Sequence, residues 1–151
     1  MQTPYRMNDV ILLVEDNPDD EALAIRALRK CNIANRIVVA RDGVEALDLL
    51  FGRNGGKPLL PAVVLMDLKL PRLDGIETLE RIRASEQTRS LPVVMLTTSD
   101  QESDVLRSYK SGVNSYVRKP IEFGEFTTVA AQLGLYWLLL NQRPRPSTRE
   151  E

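Results

Sequence analysis

The chain contains no histidine, and only one cysteine, in 151 residues. Without histidine it can build no Ser-His-Asp or Cys-His catalytic site, no histidine metal cage and no phosphohistidine carrier of its own. The single Cys31 excludes an internal disulfide framework and fits a reducing compartment. An excess of charge of one sign is missing too. Twenty basic side chains stand against 21 acidic ones, and a net charge of −1 gives no blanket attraction to nucleic acid or anionic lipid. Long apolar runs are also absent. The longest, Leu133 to Leu140 with Gly134 inside it, falls far short of the ~20 residues a spanning helix needs. Met1 to Asp9 is polar and lacks the apolar stretch of a secretory signal. The expectation is a soluble, cytoplasmic protein that binds neither nucleic acid nor membrane. Its chemistry must run on carboxylates, lysine and hydroxyls, or on groups supplied by a partner.

What is present is one domain's worth of chain, at roughly 150 residues per domain, with 43% apolar content to build a core. Short apolar strands alternate with amphipathic helical stretches. Val10 to Val14 reads as a strand buried on both faces and stops at Glu15-Asp16. Asp16-Asn17-Pro18 then supplies a helix cap followed by proline in the first turn. In the helix that follows, Ala22, Ile25 and Leu28 fall on one face. Further strands are predicted over Arg36–Ala40, Ala62–Met66, Pro92–Leu96 and Ser115–Arg118. Further helices are predicted over Val44–Phe51, Asp74–Ala84, Glu102–Ser111 and Phe123–Asn141. Between Gly52 and Pro61, GRNGGKPLLP is a long loop. Residues 1–9 are expected to be flexible, 10–141 to form the domain, and 142–151 to be a disordered, proline-broken tail. Five strands alternating with five helices imply a doubly wound α/β fold, a parallel sheet with helices on both faces.

Such a fold gathers active groups at the carboxyl ends of its strands. Four strand ends are polar: Glu15-Asp16 after the first, Asp67 after the third, Thr97 after the fourth and Lys119 after the fifth. Converging carboxylates repel, by about 4 kcal/mol per pair at ~4 Å and an effective dielectric near 20. A hard divalent ion relieves that repulsion, and magnesium accepts an incomplete carboxylate set completed by water. Lysine is suited to holding a phosphoryl oxygen, and a threonine hydroxyl can bond another. Carboxylate, metal, lysine and hydroxyl around one point describe an aspartyl-phosphate site.

At these residues the chain resembles the response-regulator receiver domain of two-component signalling. The matching stretches are VEDNPDD, MDLKLPRLDG, LTTS and YVRKP, in family order and spacing. The resemblance implies a (βα)5 flavodoxin-like sandwich with strand order 2-1-3-4-5. It makes Asp67 the phosphoacceptor, with Glu15, Asp16, Asp67 and the backbone carbonyl of Lys69 binding Mg2+. It gives Lys119 the phosphoryl group to pair with, followed by Pro120 across a cis peptide. Thr97 and Tyr116 would shift together on phosphorylation. The implied donor is the phosphohistidine of a sensor histidine kinase. The domain would catalyse its own phosphorylation and dephosphorylation as a signal carrier, not as an enzyme. Its signal would leave through a downstream phosphotransfer or target protein.

The long glycine-rich loop, the final third of the chain and the Tyr136-Trp137 pair resemble the small stand-alone regulators of bacterial and cyanobacterial phytochromes. In that subgroup the last helix helps to make a homodimer, so a phytochrome is an expected kinase partner. The residues agree with this. Phe126, Ala130, Leu133, Trp137 and Leu140 keep helical spacing, whereas Leu135, Tyr136, Leu138 and Leu139 fall largely off that face. A helix end apolar all round points to a partner surface, here Leu135, Tyr136, Trp137 and Leu139. Two rival functions stand beside the regulator. One is a magnesium-dependent phosphohydrolase with an aspartyl nucleophile, which would normally carry an acid at the position of Lys69. The other is a docking scaffold that works without phosphorylation.

Overall fold

The parallel sheet is built from the apolar runs, each of which needs cover on both faces. The computed structural model describes residues 10–30, 33, 35–53, 55–97, 107, 109–113 and 115–118. Its strands are β1 (Ile11–Val14), β2 (Ile37–Ala40), β3 (Val63–Met66), β4 (Val93–Thr97) and β5 (Ser115–Arg118). They form one five-stranded sheet in the order β2-β1-β3-β4-β5, every neighbour parallel. Helices α1 (Pro18–Lys30), α2 (Gly43–Phe51) and α3 (Gly75–Ala84) follow the first three strands.

Side chains alternate across a strand, and the core divides accordingly. Leu12, Val14, Val64, Met66, Val93 and Met95 pack with Leu47 and Leu50 of α2 and Leu79 and Ile82 of α3. Ile11, Leu13, Val63, Leu65 and Val94 point the other way and pack with Ala24, Ala27 and Leu28 of α1. The sheet therefore carries helices on both faces. Burying one large apolar side chain contributes about 1.5–3 kcal/mol, so these two clusters dominate the stability of the fold.

Four strands begin one residue later than the sequence pattern suggests. The four preceding residues still hydrogen-bond in line: Ile11 N donates to Arg36 O (2.8 Å), Ala62 N to Val10 O (2.8 Å) and Val64 N to Pro92 O (2.9 Å). β4 also runs on to include Thr97. The buried face of α1 differs from the expected one. Leu28 is buried, but Ala22 is exposed and Ile25 only half-buried, whereas Ala24 and Ala27 are buried. Small side chains let the helix lie close against the sheet, and the bulkier Leu23 and Ile25 flank that line of contact.

Gly52 closes α2 in the left-handed conformation (φ 68°), its amide donating to Asp48 O. Of the predicted fourth helix, Arg107, Tyr109 and Lys110 are described and helical. The predicted last helix, both termini and the Lys119–Pro120 bond lie outside the described residues. Among those described, no helix is long and apolar enough to cross a membrane.

Candidate functional site

Strand register brings the acidic residues level with one another. Val14 pairs with Met66, and Asp67 N donates to Val14 O (3.1 Å), so the residues following β1 and β3 emerge side by side. One carboxylate oxygen from each of Glu15, Asp16 and Asp67 lies within 4.8 Å of the other two. Glu15 is buried (3% exposed), Asp67 half-buried and Asp16 exposed. The site thus grades from interior to solvent.

Local chemistry explains why these carboxylates face one another instead of capping a helix. The cap of α1 is Asn17, whose Oδ1 accepts from the amides of Asp19 (2.8 Å) and Asp20 (3.2 Å). Pro18, which has no amide to donate, takes the first helical position. Glu15 Oε2 in turn accepts the Asn17 amide (3.2 Å). Oδ1 of Asp67 accepts the amide of Leu68 (2.7 Å), which fixes the orientation of that carboxylate.

Three closely spaced carboxylates with an all-oxygen donor set fit a hard divalent cation, whose charge offsets their mutual repulsion and the burial of Glu15. Lys69 follows two residues after Asp67. It lines a cavity of about 470 Å³ together with Asp16, Leu70, Pro71, Asp74 and Arg107.

The remaining expected site residues are placed in part. Thr97 ends β4, in register with Arg118. Tyr116 lies in β5 opposite Met95. The backbone therefore brings Thr97 to the same sheet edge as Asp67, while Lys119 and the dimer residues Leu135, Tyr136, Trp137 and Leu139 lie outside the described residues.

Sequence reading missed the frame behind the site. Asp42 and Asp74 cap α2 and α3, accepting the amides of Glu45 (2.8 Å) and Glu77 (2.9 Å). Each sits in an Asp-Gly-x-Glu stretch, which reads as a turn at Asp42 and as a helix start at Asp74, and in neither case as a cap unless the capping chemistry is sought. The glycines are required by close approach. A Cβ on Gly75 would lie 2.4 Å from Asp67 O, and one on Gly43 would lie 2.0 Å from Thr78 Oγ1.

Asp42 is also gripped by Arg72, whose Nε donates to Oδ2 (2.8 Å) and Nη2 to Oδ1 (3.1 Å). Burial alone would push the Asp42 carboxyl upward. The Arg72 guanidinium and the amides of Glu45 and Val44 outweigh it and hold the group below its ordinary 3.8.

With this geometry in view, the likenesses to known proteins are specific. The response regulator receiver domain family matches residues 11–131. The chain is 44% identical over 138 residues to the probable methanogenesis regulatory protein FilR2 of Methanothrix harundinacea, covering 91% of this chain and 89% of that one. It is 36% identical over 131 residues to response regulator Rcp1 of Synechocystis, covering 85% of this chain and 88% of that one. The Mn2+-bound crystal structure of Rcp1 superposes with a TM-score of 0.79, covering 90% of this chain and 99% of that one. A bacteriophytochrome response regulator, AtBRR, is 52% identical with a TM-score of 0.66, covering 88% of this chain and 97% of that one.

Proposed function

Because the chain belongs to the response regulator receiver domain family, we propose that it is a stand-alone response regulator phosphorylated on Asp67 by a sensor histidine kinase. The observation that carries this reading is the convergence of Glu15, Asp16 and Asp67 at neighbouring strand ends.

In this reading an oxygen of the Asp67 carboxylate attacks the phosphorus of a phosphohistidine. A P–O bond forms, the P–N bond breaks, and the electron pair leaves with the imidazole nitrogen of the donor. Since this chain has no histidine, that imidazole belongs to another protein. The Leu68 amide on Asp67 Oδ1 holds the nucleophile in one orientation for an in-line attack. Glu15, Asp16, Asp67 and the Lys69 carbonyl would hold Mg2+, which when bound supplies positive charge opposite the developing oxygen charge. Lys119 would pair with the phosphoryl oxygens. Thr97 and Tyr116 would follow the new charge, biasing a two-state arrangement of the expected fourth helix, β5 and the expected last helix.

The donor we infer is a phytochrome-class kinase of the cytoplasm. The likeness to AtBRR, a bacteriophytochrome response regulator, supports this. The apolar positions Leu135, Tyr136, Trp137 and Leu139 would join two copies of the chain, and the signal would pass on by protein contact or onward phosphotransfer.

The test is intact-mass measurement after incubation with Mg2+ and a small-molecule phosphodonor. Wild type should gain one acid-stable, base-labile phosphoryl group, and Asp67→Asn should gain none. Equal labelling of both proteins would refute the assignment, and repeated turnover of a generic phosphate ester would point to the phosphohydrolase instead.

A further inference from the structure

The geometry points to Arg72 and Asp42 as a positioning latch that holds the loop after Asp67, and with it the Lys69 carbonyl, in its metal-binding conformation. The inference rests on the functional reading above and adds to it a pair of residues outside the acidic cluster.

Three observations carry it. Arg72 adopts φ 63°, the one positive φ at a non-glycine position among the described residues. That left-handed region is unfavourable for a side chain bearing a Cβ, and such a conformation persists only where its surroundings fix it. What fixes it here is the two-pronged grip on Asp42 across 30 positions of sequence. The Arg72 side chain is 61% exposed while that of Asp42 is 11% exposed, so the anchored partner is the aspartate. Asp42 is in turn immobilised as the cap of α2.

The second observation is that the backbones are joined at the same place. Gly43 N donates to Leu73 O (3.2 Å), and a Cβ on Gly43 would meet that same carbonyl at 2.4 Å. The start of α2 and the loop touch with no room for a side chain between them.

Thirdly, the loop is a short closed unit. Gly75 N donates to Leu68 O (2.8 Å), and Leu73 N donates to Pro71 O (2.7 Å). Asp67 immediately precedes this unit, Lys69 lies near its start and Arg72 in its second half, so a fixed Arg72 restricts the arc on which the Lys69 carbonyl sits. A glycine at position 72 would meet the φ requirement without strain but could not reach α2. Arginine meets the positional requirement at the expense of the backbone, and its planar fork suits a carboxylate better than a lysine ammonium does.

A structural role and a positioning role separate under substitution. Arg72→Gly deletes the fork while relieving the left-handed strain. Asp42→Asn keeps a capping oxygen but removes the charge. The experiment measures Mn2+ affinity of the full chain by isothermal titration calorimetry, beside the thermal midpoint, for wild type, both single variants, the double variant and Arg72→Lys.

Each single variant is expected to weaken Mn2+ binding roughly fivefold, and the double variant no further, because both remove one interaction. Arg72→Lys should recover part of the loss, and the midpoint of Arg72→Gly should fall only slightly, because relief of the left-handed strain offsets part of the lost grip. Binding by Arg72→Gly within about twofold of wild type would overturn the latch. So would independent, additive losses in the double variant. Failure of wild type itself to bind Mn2+ would overturn the metal-site reading on which the latch depends, a result distinct from equal binding by all the proteins.

Discussion

The carbonyl oxygen of Asp67 lies 2.4 Å from the point a Cβ on Gly75 would occupy. The start of α3 is thus pressed against the backbone of the proposed phosphoacceptor, with the Gly75 amide bonded to the next carbonyl, Leu68 O (2.8 Å). Backbone cannot move aside as a flexible side chain can. Gly75→Ala should therefore destabilise the protein by about 1–3 kcal/mol, as overpacking does, and should also displace the Asp67 carboxylate. Urea unfolding and phosphodonor labelling read the two effects. Normal labelling at wild-type stability would contradict the contact.

The acidic cluster should leave a signature in stability. Without metal, Asp67→Asn or Asp16→Asn removes like-charge repulsion among groups whose oxygens lie within 4.8 Å, so the variants should melt above wild type. With Mg2+ at 100 times its dissociation constant, wild type should gain about 2.7 kcal/mol, and the variants much less. Differential scanning calorimetry with and without Mg2+ checks both signs. A metal-free Asp67→Asn protein that melts below wild type would sink the repulsion argument.

Asp42 sets a pH dependence whose sign can be worked out. Its folded-state pKa is lowered from 3.8, so its contribution to stability is complete above that value and is lost as pH falls through the lower folded value. Denaturant midpoints measured downward from about pH 5 should fall more steeply for wild type than for Asp42→Asn. Parallel slopes would mean that the Arg72 pair does not hold the charge as described.

The fold and the acidic residues were legible because both leave local marks. A strand buried on both faces shows as an unbroken apolar run, and the site residues stand where such runs end, at Glu15, Asp67 and Thr97. The partnership of Asp42 with Arg72 left no such mark. The two residues are 30 positions apart and meet only because α2 and the loop after β3 converge. The face of α1 was misread for a related reason. Periodicity weighs Ile25 above Ala24 and Ala27, but close packing on a sheet prefers the small side chains. Hydrophobicity alone does not encode distance of approach.

The proposed dimer has a test of its own at the helix expected over Phe123–Asn141. Replacing Tyr136 and Trp137 together by alanine should shift the sedimenting species toward monomer while leaving phosphodonor labelling of Asp67 intact. An unchanged mass in ultracentrifugation would remove these residues from the interface.

Arg83 grips three carbonyls, of Gly112 (2.7 Å), Arg89 (3.0 Å) and Leu91 (2.6 Å). Arg83→Met would leave them unmatched and should cost about 2–4 kcal/mol, because charge-assisted hydrogen bonds are the stronger kind. Thermal unfolding checks this, and a loss under about 0.5 kcal/mol would contradict it.

Arg29 does the same work at the other side, holding the carbonyls of Ile33 (2.6 Å) and Asn35 (2.8 Å) ahead of β2. Both arginines act where strands begin, and the acidic residues stand where strands end. For anyone fitting the protein with a reporter, this asymmetry is a guide. A fluorophore tethered near the arginine-held loops sits at the edge of the sheet opposite the carboxylates. With a second one near the carboxylates, the pair would read any displacement that accompanies the proposed phosphorylation as a change in transfer efficiency.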